Sequence, residues 1–266
     1  NRVWTTFWNP EHGWNSWFQI HPETVFDHTV QKITAVARKP DQIDLFAIGF
    51  DNAVWTTFWN PEHGWNSWFQ IHPETVFDHT VQKITAVARK PDQIDLFAIG
   101  FDDRVWTTFW NPQNSWNPWF QIHPETVFDH HAQSISAVAR MPDQIDLFTI
   151  GFDDRVWTTF WNPQNGWNPW FQIHRETAFD HSRQKITAVA RKSEQLDLFT
   201  IGFDDRVWTT FWNPQNGWNP WFQIHPETVF DHSRQEITGL ARKSEQLDLF
   251  TIGFDDRVWT AFWNPA

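Results

Sequence analysis

The sequence has no cysteine and no tyrosine, a single methionine and no long hydrophobic run. The absence of cysteine excludes disulfides and Cys-ligated zinc or iron–sulfur sites. No apolar run approaches the roughly 18 residues of a membrane span, and no signal-peptide core opens the chain, so we expect no membrane insertion. Cationic residues are also few: the sequence has 20 Lys and Arg against 32 Asp and Glu, which gives a formal net charge of −12. Since nucleic-acid affinity depends on Lys and Arg that neutralise phosphates, this charge argues against a nucleic-acid partner.

Tryptophan is the residue that the sequence has in excess, with 22 copies. They fall into four series that recur with one period, because "VWTTFWNP" begins at Val3 and its first tryptophan returns every 51 residues (55 − 4 = 51). A fixed period of this length predicts a repeat architecture in which neighbouring units bury each other's faces. Every tryptophan is therefore a repeat position, and none is a singular active-site residue.

One repeat reads as four short strands separated by turns rich in Pro, Gly, Asn and Asp. We name them strand A (33–39), strand B (42–51), strand C (53–60) and strand D (68–72). No segment reads as a helix of useful length. Four short antiparallel strands, repeated about five times, predict an all-β fold of the β-propeller type, with a β-solenoid as the alternative.

The number of copies of each strand predicts five four-stranded blades in one domain over 1–266. Strands A, B and D occur five times and strand C six times. The repeat units are expected at about 33–83, 84–134, 135–185 and 186–236, with a closing blade built from 237–266 and 1–32. The predicted ring closes when strands A and B of 237–255 join strand D of 17–21, because closure removes exposed strand edges.

This closure leaves one copy of strand C surplus, either 2–9 or 257–264. The surplus copy would hang loose, add to the closing blade, or pair with another molecule and make a homo-oligomer. Residues 3–51 and 54–102 are identical, which indicates recent duplication or an engineered copy.

The stretches "ITAVARKPDQIDLFAIGFDNAVWTTFWN" and "SEQLDLFTIGFDDRVWTTFWN" carry a resemblance to a known family. They resemble the repeat of the bacterial fucose-binding β-propeller lectins of the Photorhabdus type, and they are similar to the related mushroom propeller lectins. The resemblance recurs once per repeat over essentially the whole chain. It implies a toroid of four-stranded blades with shallow sugar pockets repeated around it, although members of this type have seven blades and this chain has about five units.

The A–B and C–D loops of a propeller share one rim, and we expect the ligand there. The second half of "NPEHGWNSW" places a tryptophan in the C–D loop, where an indole can stack on the C–H face of a pyranose. The alternative, weighed equally, is that this indole fills the gap between blades. For the arginine that ends strand A, the alternative to sugar binding is pairing with Asp41 or with loop carbonyls. The candidate ligand-binding residues are Trp14, Trp65, Trp116, Trp167, Trp218, Arg38, Arg89, Arg140, Arg191, Arg242, Asn15, Asn66, Asn117, Asn168 and Asn219.

Two further sets of polar residues have less specific patterns. Strand B carries an aspartate in every repeat. These aspartates either form a ring of acids or, as we favour, make buried blade-to-blade hydrogen bonds to backbone or threonine; the set is Asp44, Asp95, Asp146, Asp197 and Asp248. The opposite rim gathers His21, Glu23, Asp27 and His28, and it is the second candidate for a sugar rim. The histidine spacing matches no recognised metal site, so we expect no metal and no other cofactor.

The repetition of every acid argues against an enzyme. A glycoside hydrolase needs one asymmetric pair of carboxylates at a defined separation, whereas each acid here occurs about five times. The sequence therefore predicts a multivalent lectin that recognises fucose, or a related methylated or N-acetylated sugar, on glycans of cell-surface glycoconjugates. The alternative is a structural or protein-interaction propeller, such as an engineered repeat scaffold, without sugar affinity.

Overall fold

The computed structural model describes residues 1–30, 32–243 and 245–264. Within these residues the fold is all-β, a five-bladed β-propeller whose complete blades add a short hairpin strand to the four predicted strands, and it contains no helix. In the described part of the chain there is accordingly no helix with the length and apolar character needed to cross a bilayer. The predicted fold class is confirmed.

The strands follow one another in the order that the repeat predicts. The N-terminal segment holds β1 (Val3–Thr5), β2 (Trp8–Asn9), β3 (Gly13–Trp14) and β4 (Phe18–Ile20). The first complete blade holds β5 (Thr34–Lys39), β6 (Gln42–Ile48), β7 (Ala53–Asn60), β8 (Gly64–Trp65) and β9 (Phe69–Val76). The second holds β10 (Thr85–Lys90), β11 (Gln93–Ile99), β12 (Val105–Asn111), β13 (Ser115–Trp116) and β14 (Phe120–Ile122).

The remaining blades repeat this arrangement. The third holds β15 (Ser136–Met141), β16 (Gln144–Ile150), β17 (Val156–Asn162), β18 (Gly166–Trp167) and β19 (Phe171–Ile173). The fourth holds β20 (Thr187–Lys192), β21 (Gln195–Ile201), β22 (Val207–Asn213), β23 (Gly217–Trp218) and β24 (Phe222–Ile224). The C-terminal sheet consists of β25 (Thr238–Lys243), β26 (Gln246–Ile252) and β27 (Val258–Trp263).

The chain divides into two compact units. The first comprises Asn1–Leu96 with Thr108–Trp119, and the second comprises Phe97–Thr107 with Phe120–Ala266. The single domain over 1–266 stays a prediction.

The segment between strands C and D is a short hairpin, so the prediction that its tryptophan lies in a loop is wrong. Trp59 pairs with Trp65 and Asn60 with Gly64, and the other copies repeat this register. The side chain of Asn60 accepts the N–H groups of Glu62 at 3.1 Å and of His63 at 2.9 Å. Gly64 has φ +69°, a left-handed conformation that glycine adopts without steric cost. These two features turn the chain back and pair the two tryptophans.

The turn between strands B and C requires glycine because an indole folds over it. A Cβ at Gly151 would lie 2.6 Å from Nε1 of Trp157, and the same indole donates to Oδ1 of Asp153 at 2.9 Å. The indole cannot move aside without losing this hydrogen bond.

We therefore expect Gly151→Ala to lower the free energy of unfolding by about 1–3 kcal/mol through overpacking. Chemical denaturation monitored by far-UV circular dichroism measures the change. Gly166→Ala is the control for the steric clash, because nothing lies within 4 Å of its added Cβ. Its φ of +70° adds backbone strain, which is a separate cost. A stability for Gly151→Ala equal to that of the wild type would contradict the account of this turn.

Each copy of strand C at the two ends of the chain pairs with a neighbouring strand. β1 pairs with β4 in the register Val3↔Ile20, the same register as Val105↔Ile122 in a complete blade. β27 pairs with β26, so both copies of strand C have a partner and neither hangs loose. Closure of the ring between the ends stays a prediction.

The hydrophobic core lies between blades. In the second unit, one cluster joins Phe148, Phe179, Leu196 and Trp221, drawn from the third and fourth blades. The Phe179 and Trp221 rings meet edge to face at 4.8 Å. Because blades pack on both faces, every residue of β16 is buried, which is why strand B is apolar on both alternations.

Candidate functional site

The hairpin tryptophans point across the blade junctions. The ring of Trp116 meets Phe46 edge to face at 5.9 Å, and Trp218 meets Phe148 in the same way at 5.8 Å. Trp116 and Trp218 are half-buried, whereas Trp14 is 71% exposed. The indoles thus fill the gap between blades, one of the two roles weighed for them, and the half-buried ones keep part of the ring accessible. A role as a sugar platform stays a prediction.

The arginine next to the end of strand A is largely buried at the same junctions in its first four copies, whereas the side chain of Arg242 is 58% exposed. Nη2 of Arg38 lies 3.2 Å from Oδ1 of Asp44, with both side chains buried. The guanidinium carbon of Arg38 also lies 4.1 Å from the centroid of the Trp110 ring, a cation–π distance. The ion pair recurs as Arg89–Asp95, Arg140–Asp146, Arg191–Asp197 and Arg242–Asp248.

This ion pair differs from both expectations for its members. Asp44 is buried as predicted, but its partner is an arginine instead of backbone or threonine, and Arg38 pairs with Asp44 instead of Asp41. A register shift between Ala37 and Lys39 makes Arg38 the extra residue of a β-bulge, two positions along the strand from Val36, which is the register partner of Asp44. The sequence did contain a pattern that indicates this ion pair: an Arg and an Asp six positions apart, on the two sides of a tight turn.

Burial shifts the pKa values of these pairs. Burial raises the pKa of Asp44 to about 6 and that of Asp146 to about 7, against the opposing effect of Arg38 and Arg140. Burial also lowers the pKa of Arg38. The junction therefore holds carboxyl groups that take up protons under mildly acidic conditions.

The pKa of Asp146 predicts a pH dependence of stability. Its folded-state value of about 7 lies above the unfolded value near 3.8, so the folded chain holds the proton more tightly. The contribution is fully present below about pH 4 and is lost as the pH rises through about 7. We expect the wild type to gain about 2 kcal/mol between pH 7 and pH 5 relative to Asp146→Asn. Urea denaturation at the two pH values measures this difference, and parallel behaviour of the two proteins would contradict the assignment.

The asparagine series holds the hairpin to strand C. Nδ2 of Asn168 donates to the carbonyl of Phe160 at 3.3 Å, and the carbonyl of Asn168 accepts the hydroxyl of Thr159. The N–H of Asn168 donates to the same Phe160 carbonyl at 2.9 Å. Direct contact between this series and a sugar stays a prediction, as it does for the arginines.

A polar cleft lies between the A–B and C–D turns. In the fourth blade it has a volume of about 330 Å³. It is lined by Lys192, Ser193, Glu194, Gln195, Asn213, Pro214, Gln215 and Asn216. The A–B and C–D turns of this blade therefore share one rim, as predicted, and the tips of these turns supply hydrogen-bonding groups that the sequence analysis did not select. The sequence contained a pattern that could have indicated these groups, since polar residues occupy the tips of the A–B and C–D turns in every repeat.

The opposite rim is held together by its own hydrogen bonds. Nδ1 of His181 lies 2.7 Å from Oδ1 of Asp154, which also accepts the backbone N–H of His181 at 3.1 Å. Asp154, Asp180 and His181 offer oxygen and nitrogen atoms within 4.8 Å of one another. Asp180 accepts the N–H of Ser182 at 2.8 Å, so hydrogen bonds account for this cluster without a cation.

The comparisons with known proteins support the fold. No protein-family model matches the sequence, and no curated protein matches it. Solved structures do match: the BP39L lectin from Burkholderia pseudomallei has a TM-score of 0.78 at 20% identity, over 96% of this chain and 72% of that one. AofleA from Arthrobotrys oligospora has a TM-score of 0.70 at 11% identity, over 99% and 76%. The six-bladed lectin of Aleuria aurantia has a TM-score of 0.61 at 10% identity, over 94% and 80%. The resemblance to β-propeller lectins is confirmed at the level of the fold.

Proposed function

We propose that the chain is a multivalent carbohydrate-binding lectin whose sites lie at the blade junctions. The observation that carries the proposal is the repeated junction, in which a half-buried indole packs on the neighbouring blade, together with the polar cleft that the turns of the fourth blade line. The names of similar folds support it, since BP39L and the Aleuria aurantia protein are lectins and the latter has been described as fucose-specific.

The junction in the fourth blade offers both kinds of contact that a sugar needs. The free part of the Trp218 ring stacks on the C–H face of the pyranose, and the polar turn groups Gln215, Asn216 and Ser193 bind its hydroxyls. The buried Arg191–Asp197 pair and Asn219 hold the wall of the site, because the two charges of the pair face each other and the backbone N–H of Asn219 donates to the carbonyl of Phe211. Fucose, or a related methylated or N-acetylated sugar, suits this site because its methyl or acetyl group adds apolar surface against the indole.

Repetition makes binding, and not catalysis, the best-supported activity. Equivalent junctions recur along the chain, so each offers the same weak site instead of one asymmetric pair of catalytic carboxylates. A small sugar in a shallow site should bind at about millimolar to micromolar, or roughly 4–8 kcal/mol. Several such sites can engage glycans of cell-surface glycoconjugates together, which raises avidity by roughly 10²–10⁴.

A glycan array with competition tests the proposal. We expect the chain to bind immobilised fucosylated glycans, and we expect free L-fucose at millimolar concentration to displace it. D-mannose at the same concentration is the mismatched control. Absence of binding to every glycan on the array would favour the alternative, a structural or protein-interaction propeller without sugar affinity.

A further inference from the structure

The third repeat departs from the others at the last position of strand A. Four of the five copies end in Arg-Lys, whereas the third has Met141, the single methionine of the chain, in place of the lysine. Nζ of Lys39 lies 2.8 Å from Oδ1 of Asp92, an acid in the A–B turn of the next blade. Lys192 bonds Glu245 in the same way. These ion pairs link neighbouring A–B turns, and a methionine cannot form one.

The acid at the position that faces Met141 is Glu194, 51 residues before Glu245 (245 − 51 = 194). Within the described part of the chain, the Glu194 carboxylate forms no ion pair or hydrogen bond, and the residue is exposed. Burial lowers the pKa of Arg140, and the charges of Asp146 and Glu194 oppose that shift. The direct partner of the Arg140 guanidinium is Asp146, with Nη2 3.3 Å from Oδ1. The Glu194 carboxylate is therefore available to a ligand.

The polar cleft of about 330 Å³ in the fourth blade is lined by Glu194. Its volume is at the lower end of small-molecule sites, which span roughly 300–1,000 Å³. Lys192 also lines the cleft, but its ammonium is bonded to Glu245. Neutral donors and acceptors come from Ser193, Gln215 and Asn216. The cleft thus combines groups that bind hydroxyls with one carboxylate that can accept a cation.

We propose that Glu194 makes this cleft selective for a sugar that carries an ammonium group, such as a 2-amino-2-deoxy sugar. The inference rests on the proposed function, because it takes the cleft as part of a carbohydrate site. An ammonium donates charge-assisted hydrogen bonds to a carboxylate, and these are roughly twice as strong as hydrogen bonds between neutral groups. The hydroxyl and amide groups of the two turns bind the sugar hydroxyls. A neutral sugar binds in the same cleft and lacks only the charged contact with Glu194.

The corresponding acids at two other junctions are already neutralised by the protein. Asp92 is paired with Lys39, and a hydrogen bond from Lys192 lowers the pKa of Glu245. An ammonium ligand at either acid would compete with an ammonium of the chain itself, so these junctions should not prefer an amino sugar. The chain therefore carries sugar sites of two kinds, and it should favour glycans in which neutral and amino sugars occur together.

Methionine-methyl NMR tests the proposal at this junction alone. A ¹³C-methyl label gives one signal, because Met141 is the single methionine. The probes are L-fucose and its 2-amino-2-deoxy analogue, which differ by one ammonium group. We expect both sugars to shift the Met141 signal, with the amino sugar binding about two- to fivefold more tightly at low salt. High salt should reduce this difference, since the charges are exposed. In Glu194→Gln the two sugars should bind equally.

Met141→Lys is the matched variant, because it gives the third repeat the Arg-Lys end that the other repeats have. The new lysine should pair with Glu194 as Lys192 pairs with Glu245. We expect the preference for the amino sugar to disappear while binding of L-fucose stays unchanged. Saturation-transfer NMR observed on the two sugars measures this, since the variant has no methionine to label.

The outcomes separate this inference from the proposed function. Equal affinities of the two sugars in the wild type, or a preference that persists in Glu194→Gln, would overturn the inference and leave the lectin function standing. Protonated ethanolamine is the control for a cation without a sugar ring, and a Met141 shift as large as that of the amino sugar would also overturn it. If neither sugar moves the signal, the inference fails. Binding on the glycan array then shows that the proposed function survives, and a blank array shows that both fail.

Discussion

Replacing Trp68 by alanine is expected to lower the free energy of unfolding by about 3–5 kcal/mol, whereas the same change at Trp17 should cost close to nothing. The two tryptophans lie in identical sequence, so local propensity is the same for both variants. Only burial differs, at 7% against 64% exposed, and Trp68 alone packs on Phe26. The energy of the junction is therefore measured directly by the difference between the variants.

Guanidinium denaturation, at a concentration where the chain is monomeric, measures both variants. Trp170→Ala is a second test in the other unit, because Trp170 is 7% exposed and packs on Phe128 at 4.8 Å. Equal losses at Trp68 and Trp17 would show that these side chains act through the strand and not through the junction.

The second large effect concerns function. Replacing all five hairpin tryptophans by alanine should abolish binding to glycan-coated surfaces. The variant loses the individual sites, and with them the avidity gain of roughly 10²–10⁴ that several sites provide together. The set is Trp14, Trp65, Trp116, Trp167 and Trp218. Surface plasmon resonance on immobilised glycan measures the loss, and circular dichroism establishes that the variant is folded.

A set of phenylalanine substitutions is the matched control, because the hairpin indoles also pack between blades, as Trp218 does on Phe148. A phenyl ring keeps an apolar contact and a stacking face, so this variant should stay folded and retain part of the binding. If the folded alanine variant binds glycan surfaces like the wild type, the indoles are not the platform, and the rim with His21 and Glu23 becomes the leading candidate.

The repeat period and the alternation of apolar residues were sufficient to predict the architecture. Strand C was predicted at the bounds that β7 has, Ala53–Asn60, because two turns limit it. The hairpin that follows was missed, since its geometry depends on the Asn60 side chain and a left-handed glycine, not on hydrophobic pattern. The pairing of Arg38 with Asp44 was missed because a bulge changes which side chains oppose each other.

The pairing at the chain ends could not be predicted for a different reason. β1 and β27 are nearly identical copies of strand C, so sequence alone does not decide which of them pairs with β4. The structure pairs β4 with the strand that precedes it. For the site, the sequence did not show that Arg38 is buried or that the turn tips line a cleft, and sugar binding at the junction stays a prediction.

The number of sugar sites per chain tests the account of a repeated junction most directly. Equilibrium titration with methyl α-L-fucoside, analysed for stoichiometry, measures it. Among the described residues, three hairpin indoles pack on a phenylalanine of a neighbouring blade: Trp116, Trp167 and Trp218. The account predicts at least these three equivalent sites, each with weak affinity. A stoichiometry of one sugar per chain, or no saturable binding of any monosaccharide, would contradict it.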